Sequence, residues 1–243
     1  MSIRSIIKTA LLGTGAVLCR NHKSKLLYYH DVFGDTCYTD MGTPLNLFQQ
    51  HLDVMGKVGF QIVPRITKDE GEVVLLFDDG FHGIYDVRQF FYDRHIFPTV
   101  FLAVELIGKK GYLNKEEILE LQSNGFIFEC HGWSHQDLTS FNDDELMREL
   151  KGSKEMLSEL LGKEVTEICL PIGYYSDHLL EQIKKYGYET VYSSVPGNYN
   201  ELVTGMMRPR HLLQQASPRD VRYILNGGND LLRRHYIKLH QKA

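Results

Sequence analysis

Short, nearly unbroken apolar runs alternate along the chain with stretches in which apolar residues recur every three or four positions. Leu26 to Tyr29, Val73 to Phe77, Thr99 to Val104, Phe126 to Cys130, Glu167 to Leu170 and Thr190 to Ser193 read as strands. Between them Leu45 to Val58, Tyr85 to Arg94, Lys115 to Ser123, Asp143 to Leu161 and Asp177 to Tyr186 read as helices. Strands that are apolar throughout are expected when helices cover both faces of a sheet, which is the habit of parallel β/α folds. Asn142 three residues before Glu145 is a capping-box signal, and Gly125, Gly162 and Gly187 stand where helices should stop. Alternation alone suits a closed barrel and a doubly wound open sheet equally well.

The chain has 243 residues, 43% of them hydrophobic and 24% charged, ordinary proportions for a soluble domain with its own core. A net charge of −4 and the absence of any basic cluster larger than Arg233-Arg234 argue against nucleic acid as a partner. The four cysteines, Cys19, Cys37, Cys130 and Cys169, form no CxxC pair and read as buried thiols, which suits a reducing compartment. The N-terminal residues have some flavour of a signal peptide, but Lys8, Thr9, Gly13, Thr14 and Gly15 interrupt the apolar run and no small-residue cleavage site follows. We therefore expect residues 1–25 to form a helical segment that packs on the domain or touches a membrane surface. The protein is then cytoplasmic or peripheral to the membrane, with export left open.

In parallel β/α folds the functional side chains gather at the carboxyl ends of the strands. Three of the expected strands end in chemistry: Val73 to Phe77 runs into Asp78-Asp79-Gly80, Phe126 to Cys130 into His131-Gly132-Trp133-Ser134-His135, and Leu26 to Tyr29 into His30-Asp31. Adjacent carboxylates after a buried strand repel each other and suggest a cation or a raised pKa, although Asp-Gly is also a common turn. On extended chain the two would point opposite ways, one to a metal and one to substrate. His131 and His135 are four apart, so on a helical turn both rings would lie on one face, but by itself that spacing is as compatible with two unrelated histidines. Their position after a strand makes two imidazoles and one carboxylate a facial ligand set for zinc or another first-row cation.

These residues resemble the polysaccharide deacetylases with the NodB homology domain, carbohydrate esterase family 4. The Leu-Phe-Asp78-Asp79-Gly80 run resembles that family's TFDDG motif, His131 to His135 its H-[ST]-x-x-H motif, and Leu170-Pro171-Ile172-Gly173 its proline-glycine motif. The likeness extends from about Leu26 to Gly197 and includes Gly187 to Tyr192. It implies one domain over residues 26–243, a distorted seven-stranded (β/α) barrel of the TIM-barrel-like kind. It also implies a metal-dependent hydrolase that removes acetyl groups from the N-acetylated sugars of a polysaccharide or glycolipid. Asp79, His131 and His135 would hold a divalent cation, zinc first, with cobalt, nickel, iron or manganese as alternatives. Asp78 would be the general base, and the backbone N–H of Ile172 would face the oxyanion. Tyr29-His30 resembles the early histidine of the exopolysaccharide deacetylases, which makes His30 the acid that protonates the leaving amine.

The chain departs from the family pattern at three places. Gly132 stands where Ser or Thr is usual, Cys169 where many members have the arginine that holds the base, and Ile172 where a tyrosine is common. Arg208 or Arg210 would supply the guanidinium from another strand, the alternative being that both are surface charges. The competing readings are a carbohydrate-binding homologue with a decayed site, a related amidase or O-acetyl esterase, and a receiver-like Mg²⁺ site. The HxxxH spacing and the length weigh against the last. Oligomeric state is not legible.

Overall fold

The computed structural model describes residues 3–242. Helix α1 (Ile3–Leu18) leads into strand β1 (Lys25–Tyr29), and short strands β2 (Asp31–Phe33) and β3 (Gly42–Pro44) pair with each other beside the main sheet. There follow α2 (Leu45–Val58), β4 (Gln61–Ile62), β5 (Glu72–Phe77), α3 (Gly83–Asp86), α4 (Arg88–Tyr92), β6 (Thr99–Leu102), α5 (Lys115–Ser123) and β7 (Ile127–Cys130). Next come α6 (Asp143–Leu146), a π-helical turn (Met147–Gly152), α7 (Ser153–Leu161), β8 (Glu167–Cys169), α8 (Asp177–Lys185) and β9 (Thr190–Tyr192). The chain finishes with β10 (Met207–Arg208), β11 (His211–Leu212), α9 (Pro218–Leu225) and α10 (Arg233–His240).

Every pairing in the main sheet is parallel, in the order β10-β9-β8-β7-β6-β5-β1-β11, with β4 beside the start of β5. Strands β10 and β11 are two halves of one segment separated by Pro209 and Arg210. The first half pairs with β9 and the second with β1, so this single segment joins the two edges of the curled sheet and completes seven positions around it. The bond from Arg210 N–H to the Val195 carbonyl and that from Leu213 N–H to the Tyr28 carbonyl extend the two seams.

Parallel register places like faces side by side. Leu26 lies beside Val74 and Tyr28 beside Leu76, and these four fill the inside of the sheet with Phe101, Cys169 and Tyr192. Their alternates Leu27, Tyr29, Leu75, Phe77, Val100 and Phe128 face outward into the layer packed by the helices. Both faces are buried, which is why the strands look apolar throughout. Asp78 continues the inward phase of Val74 and Leu76, and Arg210 the inward phase of Arg208, which sits beside Tyr192. Two-residue alternation thus aims an acid and a base into the same space.

The expected helices hold with two interruptions. Val87 separates α3 from α4 where one helix was read, and the Asp143 to Leu161 stretch contains the π turn, with its start fixed by the Asn142–Glu145 capping box. Of the cysteines, Cys130 and Cys169 are buried, Cys19 is partly exposed and Cys37 is exposed, so the reading of all four as buried thiols is corrected. Helix α1 packs on α9 and the turn after it. Leu12 is fully buried, and a Cβ on Gly15 would collide with the carbonyl oxygen of Gly228, so only glycine permits that approach.

Candidate metal centre and active site

The end of β5 turns sharply because Asp79 and Gly80 both adopt left-handed backbone, at φ 73° and 74°. Asp79 is therefore not the simple outward-pointing neighbour of Asp78 that extended chain would make it. Its Oδ1 lies 3.1 Å from His131 Nε2 and 2.8 Å from His135 Nε2, with Asp79 and His131 both buried. The two rings do not reach it from a helical turn, as their spacing suggested. Residues 131–135 form an irregular loop in which Gly132 (φ 77°) and His135 (φ 58°) are left-handed, and this folds the second ring back onto the first.

Glu149 fixes that loop. Buried on the π turn, its Oε2 accepts the N–H groups of Trp133 (2.8 Å) and Ser134 (3.0 Å). His131 is oriented from its other side, Nδ1–H donating to the Cys169 carbonyl at 2.9 Å, which leaves Nε2 as the free lone pair. Sequence reading missed Glu149, although an acid three residues from Leu146 and one from Leu150 stands on the apolar stripe of that helix.

The trio fits a metal ion. Its ligand atoms lie within 4.8 Å of one another, and Asp79 Oδ1 is buried yet accepts no hydrogen bond from either ring. Ligand atoms about 2 Å from a tetrahedral ion stand about 3.3 Å apart, close to the separations seen. Burial pushes the Asp79 carboxyl up, but its contacts with His131 and His135 outweigh that and hold it well below the usual carboxylate range. Asp78, His131 and Cys169 also cluster. Both Asp78 oxygens there are engaged by Arg210, and burial holds the Cys169 thiol well above its ordinary value, so that group is a poor ligand set.

Arg210 meets Asp78 with a two-pronged ion pair, Nη1 to Oδ1 at 2.7 Å and Nη2 to Oδ2 at 2.9 Å, while its Nε donates to the Ser193 carbonyl. The guanidinium also stacks 4.1 Å over the Tyr28 ring. Burial pushes Asp78 up, the charge and twin hydrogen bonds of Arg210 pull it down further, and the carboxyl ends below its usual range. Arg208 is elsewhere: it donates to the Tyr199 carbonyl and stacks 4.4 Å over that ring, so of the two arginines offered for Asp78 only Arg210 touches it.

His30 hydrogen-bonds through Nδ1 to the Gln214 side chain at 2.7 Å, leaving Nε2 for the cavity. Ile172 sits on a left-handed turn (φ 61°) after Pro171, half-exposed. His30, Asp78, Asp79, His131, His135, Ile172 and Arg210 all line one cavity of about 520 Å³. His82 pairs with Asp86 and Glu117, and Trp133 packs against the core under Arg148.

The sequence profile of the polysaccharide deacetylases matches residues 65–191, just over half of the 243 residues and the part that carries both aspartates and both histidines. The chain belongs to the polysaccharide deacetylase family. An uncharacterized 30.6 kDa protein from the fumA 3′ region of Geobacillus stearothermophilus is 28% identical to it over 127 residues, 51% of this chain and 46% of that one. The peptidoglycan-N-acetylmuramic acid deacetylase PdaA of Bacillus subtilis is 26% identical over 155 residues, 61% of this chain and 57% of PdaA. The chain thus spans about half the length of the curated relatives it matches. A polysaccharide deacetylase from Bacillus cereus superposes with a TM-score of 0.71 at 22% identity, covering 84% of this family member and 69% of that chain. The Streptococcus pyogenes deacetylase PplD, solved with acetate, superposes with a TM-score of 0.73 at 21% identity, covering 84% and 98%. At these identities the likeness speaks for the fold, a parallel curled sheet with helices outside.

Proposed function

We propose that this family member is a metal-dependent hydrolase that removes the acetyl group from an N-acetylated sugar. The observation that carries the reading is the convergence of Asp79, His131 and His135 around a buried carboxylate oxygen with no hydrogen-bond donor, beside an Asp78 held by Arg210. Asp79, His131 and His135 would hold the cation, zinc by the chemistry of two imidazoles and a carboxylate. When bound, the ion supplies Lewis acidity to the acetamide carbonyl and lowers the pKa of water.

The remaining work falls to the chain's own groups. Asp78, kept ionised at neutral pH by Arg210, takes the proton of the attacking water. Water oxygen adds to the carbonyl carbon, and the backbone N–H of Ile172 donates to the oxygen that becomes negative. His30, steadied by Gln214, gives a proton to the amine nitrogen as the C–N bond breaks, leaving acetate and a free amino sugar. The reading of a decayed sugar-binding site began from the arginine missing at Cys169 and the tyrosine missing at Ile172; for the first of these, Arg210 offers Asp78 a guanidinium from a different strand.

The test is elemental analysis of protein purified without added metal, paired with acetate release from N-acetylated sugars. Wild type should carry about one zinc per chain and release acetate. Asp79→Asn should lose both, and a variant that keeps full metal and full activity would refute the scheme.

A further inference from the structure

The cavity is not uniform. Asp78, Asp79, Arg210 and the histidines supply polar groups, while Met41, Leu212, Ile224, Leu232 and Leu239, with Tyr236, add an apolar wall. Leu212 and Leu239 are 39% and 53% exposed, and Ile172, which lines the same cavity, is 53% exposed. A flanking sugar ring needs partners for its hydroxyls, and aliphatic side chains offer none, so this lip suits a hydrocarbon. Asn229, Ser194, His240 and Lys8 are further polar residues of the lining, and Lys8 belongs to α1. The cavity therefore runs from the candidate metal centre to the N-terminal helix.

Helix α1 is apolar toward solvent as well as toward the domain. The face that packs on α9 is held by Leu12 and Gly15, while the face toward solvent presents Ile7, Leu11, Val17 and Leu18, the last two 76% and 70% exposed. Its sequence and the residues after it supply Arg4, Lys8 and Arg20 and no acid, in a chain whose net charge is −4. An exposed apolar face on a segment whose charged residues are all basic complements an anionic bilayer rather than a second copy of this acidic chain.

We propose that the sugar reaches the site on a lipid: α1 lies on an anionic bilayer, and the apolar wall of the cavity receives the first part of the hydrocarbon chain attached to the sugar. This rests on the deacetylase reading and names its substrate class.

The protein should sediment with vesicles of phosphatidylcholine mixed with phosphatidylglycerol. It should do so at least tenfold more weakly with phosphatidylcholine alone and after the double change Val17→Glu, Leu18→Glu. Octyl N-acetylglucosaminide should be hydrolysed with a kcat/KM about tenfold above the methyl glycoside, and Leu239→Asp should bring the ratio of the two to about one. Acetate from the methyl glycoside tests the underlying reading. Equal rates for the two glycosides, or vesicle binding indifferent to Val17 and Leu18, would overturn this inference with the deacetylase reading intact.

Discussion

At the scale of single residues the site depends on charges held in exact partnership. Arg210 offers Asp78 both prongs of its fork, a geometry lysine cannot copy. Arg210→Lys should leave the fold intact, lower kcat about tenfold or more and move the acidic limb of the pH–rate profile upward, because Asp78 loses part of what holds its carboxyl down. An unmoved limb would show that Asp78 is not the base. Arg210→Ala should cost about 3–5 kcal/mol of stability in a denaturant titration, since it strands a buried carboxylate. Gly132 repays a different look. The family's Ser or Thr would have to adopt φ 77° there, with its Cβ 3.3 Å from Glu149 Oε2 and 3.4 Å from Pro171 Cγ. Gly132→Ser, a change toward the family pattern, should therefore destabilise this chain by about 1–2 kcal/mol.

At the scale of elements the π turn is the informative departure. A regular helix over residues 143–161 satisfies the apolar periodicity, yet the chain widens the helix at Met147–Gly152, where Glu149 supports the histidine loop. Glu149→Ala should weaken zinc affinity by about tenfold to a hundredfold, measured by competition with a chelator. Glu149→Gln, which keeps an acceptor oxygen, should recover most of it. Zinc affinity unchanged in both variants would assign Glu149 to helix packing alone. The periodicity of this stretch was legible because side-chain burial follows turn geometry. The inserted π residue was not, since one extra residue per turn leaves the apolar stripe nearly unbroken.

At the scale of the whole molecule, closing the sheet buries groups that the sequence shows only as scattered polar residues. His211, beside the seam, donates Nε2–H to the Gly197 carbonyl. Burial, aided by repulsion from Lys25, lowers its pKa from 6.5 to about 3. The folded value lies below the unfolded one, so between them the unfolded chain holds a proton that the folded chain cannot. This contribution is complete above pH 6.5 and is lost as pH falls toward 3, by at most about 1.4 kcal/mol per pH unit. His211→Gln should flatten this part of the stability profile in urea titrations from pH 4 to 7, and an unchanged slope would place the acid sensitivity elsewhere.

Local sequence by itself determined the β/α alternation, six strands of the main sheet, the Asn142–Glu145 capping box and the three strand ends that carry Asp78-Asp79, His131–His135 and His30. These are properties of short windows, governed by periodicity and burial. The tertiary structure alone decided the rest. The Met207–Leu212 segment, too short and too broken by Pro209 to read as a strand, becomes one when β9 and β1 offer it their edges. Only that closure could choose Arg210 over Arg208, because two-residue alternation sends both inward and their height along the barrel separates them. The coming together of Asp79 with two imidazoles likewise rests on left-handed turns at Asp79, Gly132 and His135, and two of those three are not glycine. Contacts between residues far apart in the chain hold such backbone in place, and no local window contains them.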